Sequence, residues 1–505
     1  MKKNDISTLG GLKKYGYKPV SIKDELRRNL IDSLRSGRNP FEGILGYDDT
    51  VIPDIQTAVL SRHNIILLGL RGQAKTRIAR LLVNLLDEYI PVVAGSELND
   101  DPLNPLSRTA IDLIAEHEDD TKISWMHRSE RYSEKLATPD VSVADLIGDV
   151  DPIKAASLKL PYSDERVIHF GLIPRSHRCI FVINELPDLQ ARIQVALFNI
   201  LQERDIQIRG FKIRLPLDIQ FVFTANPEDY TNRGSIVTPL KDRIDSQILT
   251  HYPKTTEISK QITGQESRLS QEQRNSIKSN ELVENLVEEI AFEARQSEYI
   301  DSKSGVSARL TISAFENLVS AAERRMILND EQETSLRISD LYGVIPAITG
   351  KIELVYEGEQ EGPLKVAHIL IGKSIKKLFE DYFPTPDKLK KNQQINPYQA
   401  ITNWFAKGNV VDIINGVSDK EYEKVLNSIP GLRDLVRKYF PKAGGQDILL
   451  LMEFVLHGLA EYSILSKFRL ETGIQFKDML SSMFTMSSEE EEDDDEDIPG
   501  TSYYG

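Results

Sequence analysis

The chain has 505 residues, a formal net charge of −15, 40% apolar residues and 28% charged residues, which is ordinary for a soluble globular protein of roughly three domains. Its only cysteine, Cys179, excludes an internal disulfide framework and a cysteine metal cluster. No apolar run approaches ~18 residues and the first residues carry no apolar signal segment. We therefore expect no membrane span, no secretory leader and a cytoplasmic location.

The order of predicted elements indicates an α/β region followed by helices. Apolar strands at 65–68, 179–183 and 219–224 alternate with helical segments, which is typical of an α/β fold with a parallel sheet. The polar segment 96–161 is predicted to be rich in loops. The predicted divisions are a lead-in at 1–40, an α/β core at 41–252, a helical lid at 254–345, a mainly helical C-terminal region at 346–485 and an acidic, disordered tail at 486–505.

The acidic tail carries most of the charge imbalance. Residues 489–497 are nine consecutive acids, and without them the net charge would be about −6. The tail is interpreted either as an interaction segment or as a solvating one. An acidic chain does not have the charge pattern of a general nucleic-acid binder, so nucleic acid is disfavoured as a partner.

The first predicted strand leads into a glycine loop, Gly69-Leu-Arg-Gly72-Gln73-Ala74-Lys75-Thr76. This is nearly the phosphate-loop pattern, with Ala74 at the place of a second glycine. Glycines allow a tight turn that brings backbone N–H groups against a polyphosphate. A helix is predicted from Thr76, because Ile78, Leu81, Leu82, Leu85 and Leu86 fall on one apolar face.

The loop therefore precedes a helix N-terminus, which favours anions. In such a loop Lys75 would reach the β- and γ-phosphates of ATP, and the Thr76 hydroxyl would bind Mg²⁺. The structural alternative is a chance glycine–lysine turn between a strand and a helix.

The second predicted strand ends in Asn184-Glu185, about 110 residues after the loop. Phosphate-loop ATPases normally place Asp-Glu there, where the Asp helps to hold Mg²⁺ and the Glu acts on the attacking water as general base. Asn184 keeps an oxygen acceptor and would contact Mg²⁺ through water, but it lacks the charge. Weaker Mg²⁺ binding is the expected consequence. The alternative is a buried strand that ends in polar residues.

The third predicted strand delivers Asn226, in Thr224-Ala-Asn226-Pro, to its C-terminal end. Ligands bind at that edge of a parallel sheet, where Asn226 would orient water against the γ-phosphate. The alternative is an Asn-Pro turn. Arg243 and Arg309 are two further candidates, because a planar and permanently charged guanidinium suits a γ-phosphate. Either arginine taken alone would be interpreted as a surface residue.

These pieces, in this order and spacing, resemble the AAA+ ATPases of the MoxR and magnesium-chelatase I-subunit type over about 41–325. The motifs that carry the resemblance are the phosphate loop, Phe170 to Glu185, Gln202-Glu-Arg204, Thr224-Ala-Asn-Pro227 and Leu240-Lys-Asp-Arg243-Ile. Alanine in the loop looks like the MoxR variant. Asn184 departs from the family pattern and predicts slow turnover.

The resemblance implies an ATPase that forms a homo-oligomeric ring, often a hexamer, with ATP between subunits. Arg243 would be the finger arginine offered to the neighbouring nucleotide, Asn226 would match sensor 1, and Arg309 would match the lid arginine called sensor 2. It also implies a remodelling, chaperone-like motor acting on a partner protein, for which a von Willebrand-type domain is one candidate. Two alternatives remain: a nucleotide-gated assembly scaffold with little turnover, which Asn184 favours, and a DNA-acting motor.

A β-hairpin is predicted at 205–215, where apolar and polar residues alternate on both sides of Arg209-Gly. Its polar residues include Lys212 and Arg214. Such a basic hairpin would face the ring pore or a partner, or would be a solvated strand edge. It is the only support for the DNA-acting alternative.

Overall fold

The computed structural model describes residues 5–162, 164–203, 205–206, 208, 215–227, 236–391 and 396–479. The chain divides into two compact units, Met1–Tyr252 and Pro253–Gly505. Arg209, Lys212, Arg214 and the predicted acidic tail lie outside the described residues. Within the described ranges, none of the helices has the length and hydropathy that crossing a bilayer would require.

The first unit is built on a five-stranded sheet, in which every neighbouring pair of strands is parallel. The strands of this unit are β1 (Ile65–Leu68), β2 (Tyr89–Val93), β3 (Ile123–His127), β4 (Tyr132–Leu136), β5 (Gly148–Val150), β6 (Ile168–Phe170), β7 (Cys179–Asn184), β8 (Asp205–Ile206), β9 (Leu215–Pro216), β10 (Ile219–Ala225) and β11 (Ser246–Leu249). The order in the sheet is β11-β1-β10-β7-β4, so β1 lies inside the sheet between β11 and β10.

Helices cover both faces of this sheet. The helices of this unit are α1 (Leu9–Tyr15), α2 (Ile22–Ser36), α3 (Val51–Leu60), α4 (Lys75–Leu81), α5 (Arg108–His117), α6 (Val143–Leu146), α7 (Pro152–Leu158), α8 (Leu172–Arg175), α9 (Ala191–Glu203) and α10 (Thr238–Lys241). Alternate residues of β1 enter different cores: Ile65 packs with residues of α2, α3 and α4, whereas Ile66 packs with residues of α9. Burial on both faces explains why this strand is a continuous apolar run.

The three predicted strands are present, and β7 and β10 each extend one residue further than expected. The helix after the loop is shorter than predicted. α4 ends at Leu81 and a 3₁₀ turn follows at Leu82–Leu85, although the apolar period continues. The Asn29 side-chain amide donates to the Leu85 carbonyl at 2.9 Å. This bond satisfies an acceptor that would pair with a backbone N–H in a longer helix.

The prediction of a loop-rich segment at 96–161 was wrong for a large part of it. The segment contains α5, β3, β4, α6, β5 and α7, and β4 is an edge strand of the main sheet, paired in parallel with β7. The β4 residues Tyr-Ser-Glu-Lys-Leu are half-buried or exposed. An edge strand with polar side chains lacks the apolar signal by which the inner strands are recognised.

The second unit is mainly helical. Its helices are α11 (Thr256–Glu266), α12 (Gln271–Ser276), α13 (Glu281–Gln296), α14 (Arg309–Leu328), α15 (Ile345–Thr349), α16 (Tyr356–Glu361), α17 (Pro363–Tyr382), α18 (Pro386–Lys391), α19 (Gln399–Phe405), α20 (Asp419–Asn427), α21 (Leu432–Tyr439) and α22 (Gln446–Glu461). Its strands are β12 (Ile277–Lys278), β13 (Thr334–Ser335), β14 (Val411–Ile414), β15 (Leu465–Leu470) and β16 (Gly473–Asp478). The sequence did not predict the antiparallel sheet β14-β16-β15.

One hydrophobic core runs through this second unit, from Ile277 to Phe476. It passes the predicted boundary between the lid and the C-terminal region at 345/346. A buried ionic cluster also crosses this boundary: Arg325 contacts Asp340 at 2.9 Å and Asp419 at 3.1 Å. A buried arginine needs both carboxylates and hydrogen bonds to offset its desolvation, so the two segments are tied together.

Candidate nucleotide site

The predicted phosphate loop, 69–76, connects the buried strand β1 to α4. Gly72 has φ +72° and Ala74 has φ +57°, so both residues adopt the left-handed conformation. At Gly69, an added Cβ would collide with the Thr250 and Gln73 side chains. The loop is therefore closely packed at its start, and Gly69 cannot be replaced without moving these neighbours. This geometry turns the loop tightly ahead of the helix N-terminus.

Ala74 adopts a conformation that glycine tolerates better, which gives a direct test of the loop geometry. We expect Ala74→Gly to stabilise the protein by about 1 kcal/mol, because relief of the left-handed strain exceeds the added freedom of the unfolded chain. Urea unfolding measures this change. Ala156→Gly on the exposed side of α7 is the matched control, and it should destabilise by up to ~1 kcal/mol. A loss of stability in Ala74→Gly would contradict the left-handed assignment.

Residues outside the motif hold the loop from the side of β11. The Tyr47 hydroxyl lies 3.1 Å from the Gln73 carbonyl and 2.7 Å from the His251 carbonyl. Thr250 donates to the Gln73 side-chain oxygen at 2.6 Å, and the Tyr252 hydroxyl donates to the Arg71 carbonyl at 3.1 Å. Burial raises the pKa of Tyr47 to about 12, so its hydroxyl remains a donor at neutral pH. Sequence reasoning missed these residues.

Lys75 reaches back across the loop. Its ammonium group contacts the Gly69 carbonyl, the Leu70 carbonyl at 2.8 Å and the Asn226 Oδ1 atom at 2.8 Å. The contact with Asn226 follows from strand order, since β10 lies beside β1 and Leu68 is paired with Ala225. Two candidate residues separated by 151 positions are thus brought together.

Thr76 and Asn184 also meet. The Thr76 hydroxyl lies 3.5 Å from Asn184 Oδ1, and the Thr224 hydroxyl donates to the same oxygen at 3.1 Å. The Thr224 oxygen in turn accepts from the Glu185 backbone N–H at 3.1 Å. The carboxyl ends of β1, β10 and β7 therefore bring polar side chains to one edge of the sheet, where ligands bind in open α/β sheets.

Glu185 follows β7 in the left-handed conformation, with φ +55° and ψ +51°. A non-glycine residue held in this region costs on the order of 1–3 kcal/mol, so the surroundings must fix it. The bond from its N–H to Thr224 is one such constraint. Glu185 is half-buried, so its carboxylate keeps partial access to solvent.

The two arginines are placed differently from the other candidates. The Arg243 guanidinium donates to the Gln202 side chain at 3.0 Å and to the Pro239 carbonyl at 2.7 Å, and it lies 5.3 Å from the Phe198 ring centroid. In the described part of the chain it makes no contact with the loop. Arg309 is exposed at the first position of α14 and belongs to the second unit.

The oxygen donors at this edge fit a magnesium nucleotide. Mg²⁺ at phosphate sites usually takes one or two protein oxygens and completes its shell with water and phosphate. The Thr76 hydroxyl would be such an oxygen, and the Asn184 amide oxygen, 3.5 Å from it, would accept from a water of the cation. No group of three or more His, Cys, Asp or Glu side chains among the described residues could hold a metal by itself. The donor set therefore suits a cation that is shared with phosphate.

No protein-family model and no curated protein matches this chain. Solved structures do match it. NtrX from Brucella abortus in complex with ADP is 12% identical over 73% of this chain and 70% of its own, with a TM-score of 0.34. A structure of subunits BchI and BchD of magnesium chelatase is 19% identical over 64% of this chain and 98% of its own, with a TM-score of 0.32. A RuvB variant from Thermotoga maritima is 10% identical over 81% of this chain and 98% of its own, with a TM-score of 0.32.

The chain is a mixed α/β protein with a five-stranded parallel sheet and a mainly helical C-terminal region.

Proposed function

We propose that this chain is an ATPase that binds ATP with Mg²⁺ at the loop 69–76 and hydrolyses it. One observation carries the proposal: Lys75, Thr76, Asn184 and Asn226 are joined by contacts at the carboxyl ends of three adjacent strands. A closely packed glycine loop ahead of a helix supplies the backbone N–H groups for the phosphates.

The proposed roles follow from the side chains. Lys75 would exchange its carbonyl contacts for phosphate oxygens, because an ammonium attracts an anionic phosphate oxygen more strongly than a neutral carbonyl oxygen. Thr76 would bind Mg²⁺ directly and Asn184 would hold it through a water, and the cation neutralises charge on the phosphates. Glu185 would accept the proton of a water whose oxygen bonds to the γ-phosphorus while the bond to the bridging oxygen breaks. The products are ADP and phosphate.

Measured together, nucleotide affinity and phosphate release test this proposal. We expect the purified chain to release phosphate only with Mg²⁺, slowly, because an amide holds the cation less strongly than a carboxylate. Tight nucleotide binding without phosphate release would instead support the nucleotide-gated scaffold, which Asn184 favours. An Asn184→Asp variant with unchanged Mg²⁺ dependence would remove the rationale for that alternative.

We further propose that the chain forms a homo-oligomeric ring in which Arg243 completes a neighbouring subunit's site. The motor would act on a partner protein, with a von Willebrand-type domain as one candidate. The position of Arg243 supports this proposal, since it contacts α9 and Pro239 rather than its own loop. Arg309 would act as the lid arginine.

Mixing two inactive variants tests the ring. Lys75→Ala and Arg243→Ala should each lack turnover, yet mixed subunits should regain activity. Random mixing pairs an intact loop with an intact Arg243 at about a quarter of the head-to-tail interfaces. Phosphate release is measured on the mixture, with native mass spectrometry to establish assembly. If mixed rings assemble and show no recovery, Arg243 does not act across the interface.

A further inference from the structure

Thr224 forms a hydrogen-bonded link between Asn184, which ends β7, and Glu185, which follows it. It lies on β10, two positions before Asn226, and the residue is 2% exposed. Its oxygen accepts from the Glu185 N–H at 3.1 Å, and its hydroxyl donates to Asn184 Oδ1 at 3.1 Å. These are its side-chain hydrogen bonds in the described part of the chain.

The direction of these two bonds determines how the Asn184 amide is oriented. A hydroxyl has one proton, and a buried hydroxyl that donates to nothing carries an unfavourable desolvation cost. Only the oxygen of the amide can accept that proton. The amide is therefore held with Oδ1 toward Thr224, and this same oxygen lies 3.5 Å from the Thr76 hydroxyl.

An asparagine requires this constraint, whereas an aspartate would not. The two ends of an amide differ, so rotation by half a turn would present N–H donors to Thr76 and to a bound cation. The two oxygens of a carboxylate are equivalent, and either orientation serves. This chain has asparagine instead of aspartate at 184, and the neighbouring Thr224 holds the amide with its oxygen toward the cation site.

We propose that Thr224 is a positioning residue that keeps the Asn184 oxygen directed to the Mg²⁺ site and holds the Glu185 backbone in place. The inference rests on the proposed nucleotide site. It goes beyond that proposal because it assigns the orientation of the Asn184 amide to Thr224, a residue outside both the loop and the Asn184-Glu185 pair. Partners that orient the ligands of a metal typically contribute 10–100-fold to metal affinity or activity.

A double-mutant cycle tests this inference without requiring turnover. Thr224→Val removes the hydroxyl with little change in volume, and Thr224→Ser retains it. Each is made with Asn184 and with Asn184→Asp. The readout is the Mg²⁺ concentration at half-maximal binding of a fluorescent ADP. With Asn184, we expect Thr224→Val to raise this concentration at least ~10-fold and Thr224→Ser to leave it nearly unchanged.

With Asn184→Asp, the same Thr224→Val change should shift the Mg²⁺ midpoint far less, because no amide needs orienting. An equal shift in both backgrounds, or no shift with Asn184, would overturn the inference. Nucleotide affinity without Mg²⁺ and thermal unfolding report on folding. If Thr224→Val fails to fold, Thr224→Cys replaces it, since a thiol is a weak hydrogen-bond donor and fills a similar volume.

Turnover measured on the same proteins separates this inference from the proposed function. If the wild-type chain binds nucleotide in a Mg²⁺-dependent way and releases no phosphate, hydrolysis is refuted while the cycle still reports on Thr224. If turnover is present and the cycle shows no coupling between 224 and 184, hydrolysis stands and the positioning role is refuted.

Discussion

Replacing Lys75 by alanine is expected to abolish ATP turnover and to weaken nucleotide binding. The side chain supplies the ammonium that contacts the loop carbonyls and Asn226, and no other described lysine lies in this loop. Hydrogen bonds to charged groups contribute roughly 1.5–3 kcal/mol each, so loss of one or two phosphate contacts should lower affinity at least ~10-fold. Fluorescent-nucleotide titration and a phosphate-release assay measure the two effects.

Arg80→Ala is the matched control for this change. Arg80 is a cation on the same helix, and it pairs with Glu134 at the surface. Exposed ion pairs contribute about 1 kcal/mol or less, so this variant should bind and turn over nucleotide almost as the wild type does. Turnover in Lys75→Ala equal to that in Arg80→Ala would refute the loop as the catalytic site.

Replacing Glu185 by glutamine is expected to separate binding from hydrolysis. Glutamine has nearly the same size but is not a base, so the attacking water loses its proton acceptor. General-base catalysis typically contributes 10²–10⁴-fold, and turnover should fall by about this factor. Nucleotide affinity should stay close to that of the wild type, because Thr76, Asn184 and Lys75 are unchanged.

Single-turnover phosphate release and nucleotide titration on the same protein measure both quantities for Glu185→Gln. Glu134→Gln is its control, since Glu134 lies on the neighbouring edge strand β4 and pairs with Arg80 instead of a site residue. Glu185→Gln with undiminished phosphate release would exclude Glu185 as the base. A retained ATP complex would also serve to capture the partner protein.

The loop could be predicted because its determinants are local. All of them lie within residues 65–76: a buried strand, two glycines, a lysine and the start of a helix. The strand β1 and the start of α4 form where the pattern predicts them. The inner strands β7 and β10 were equally recognisable, because burial on both faces requires uninterrupted apolar residues.

Elements exposed on one face were harder to predict. β4 and the sheet β14-β16-β15 carry polar or charged residues among their apolar ones, so their pattern is weak. α4 changes to a 3₁₀ turn although the apolar period continues to Leu86, and a side chain of α2 donates to the Leu85 carbonyl at the end of that turn. The apolar period of one segment does not show a hydrogen bond from a side chain of another helix.

The sequence by itself indicated the candidate residues and predicted the class of site, since residue types and spacing follow the phosphate-loop pattern. Only the tertiary structure decided which side chains support them. Tyr47 and Thr250 hold the loop because β11 lies beside β1, and Thr224 meets Asn184 because β10 is paired with β7. Contacts between distant segments depend on strand order and register, which the linear pattern does not contain.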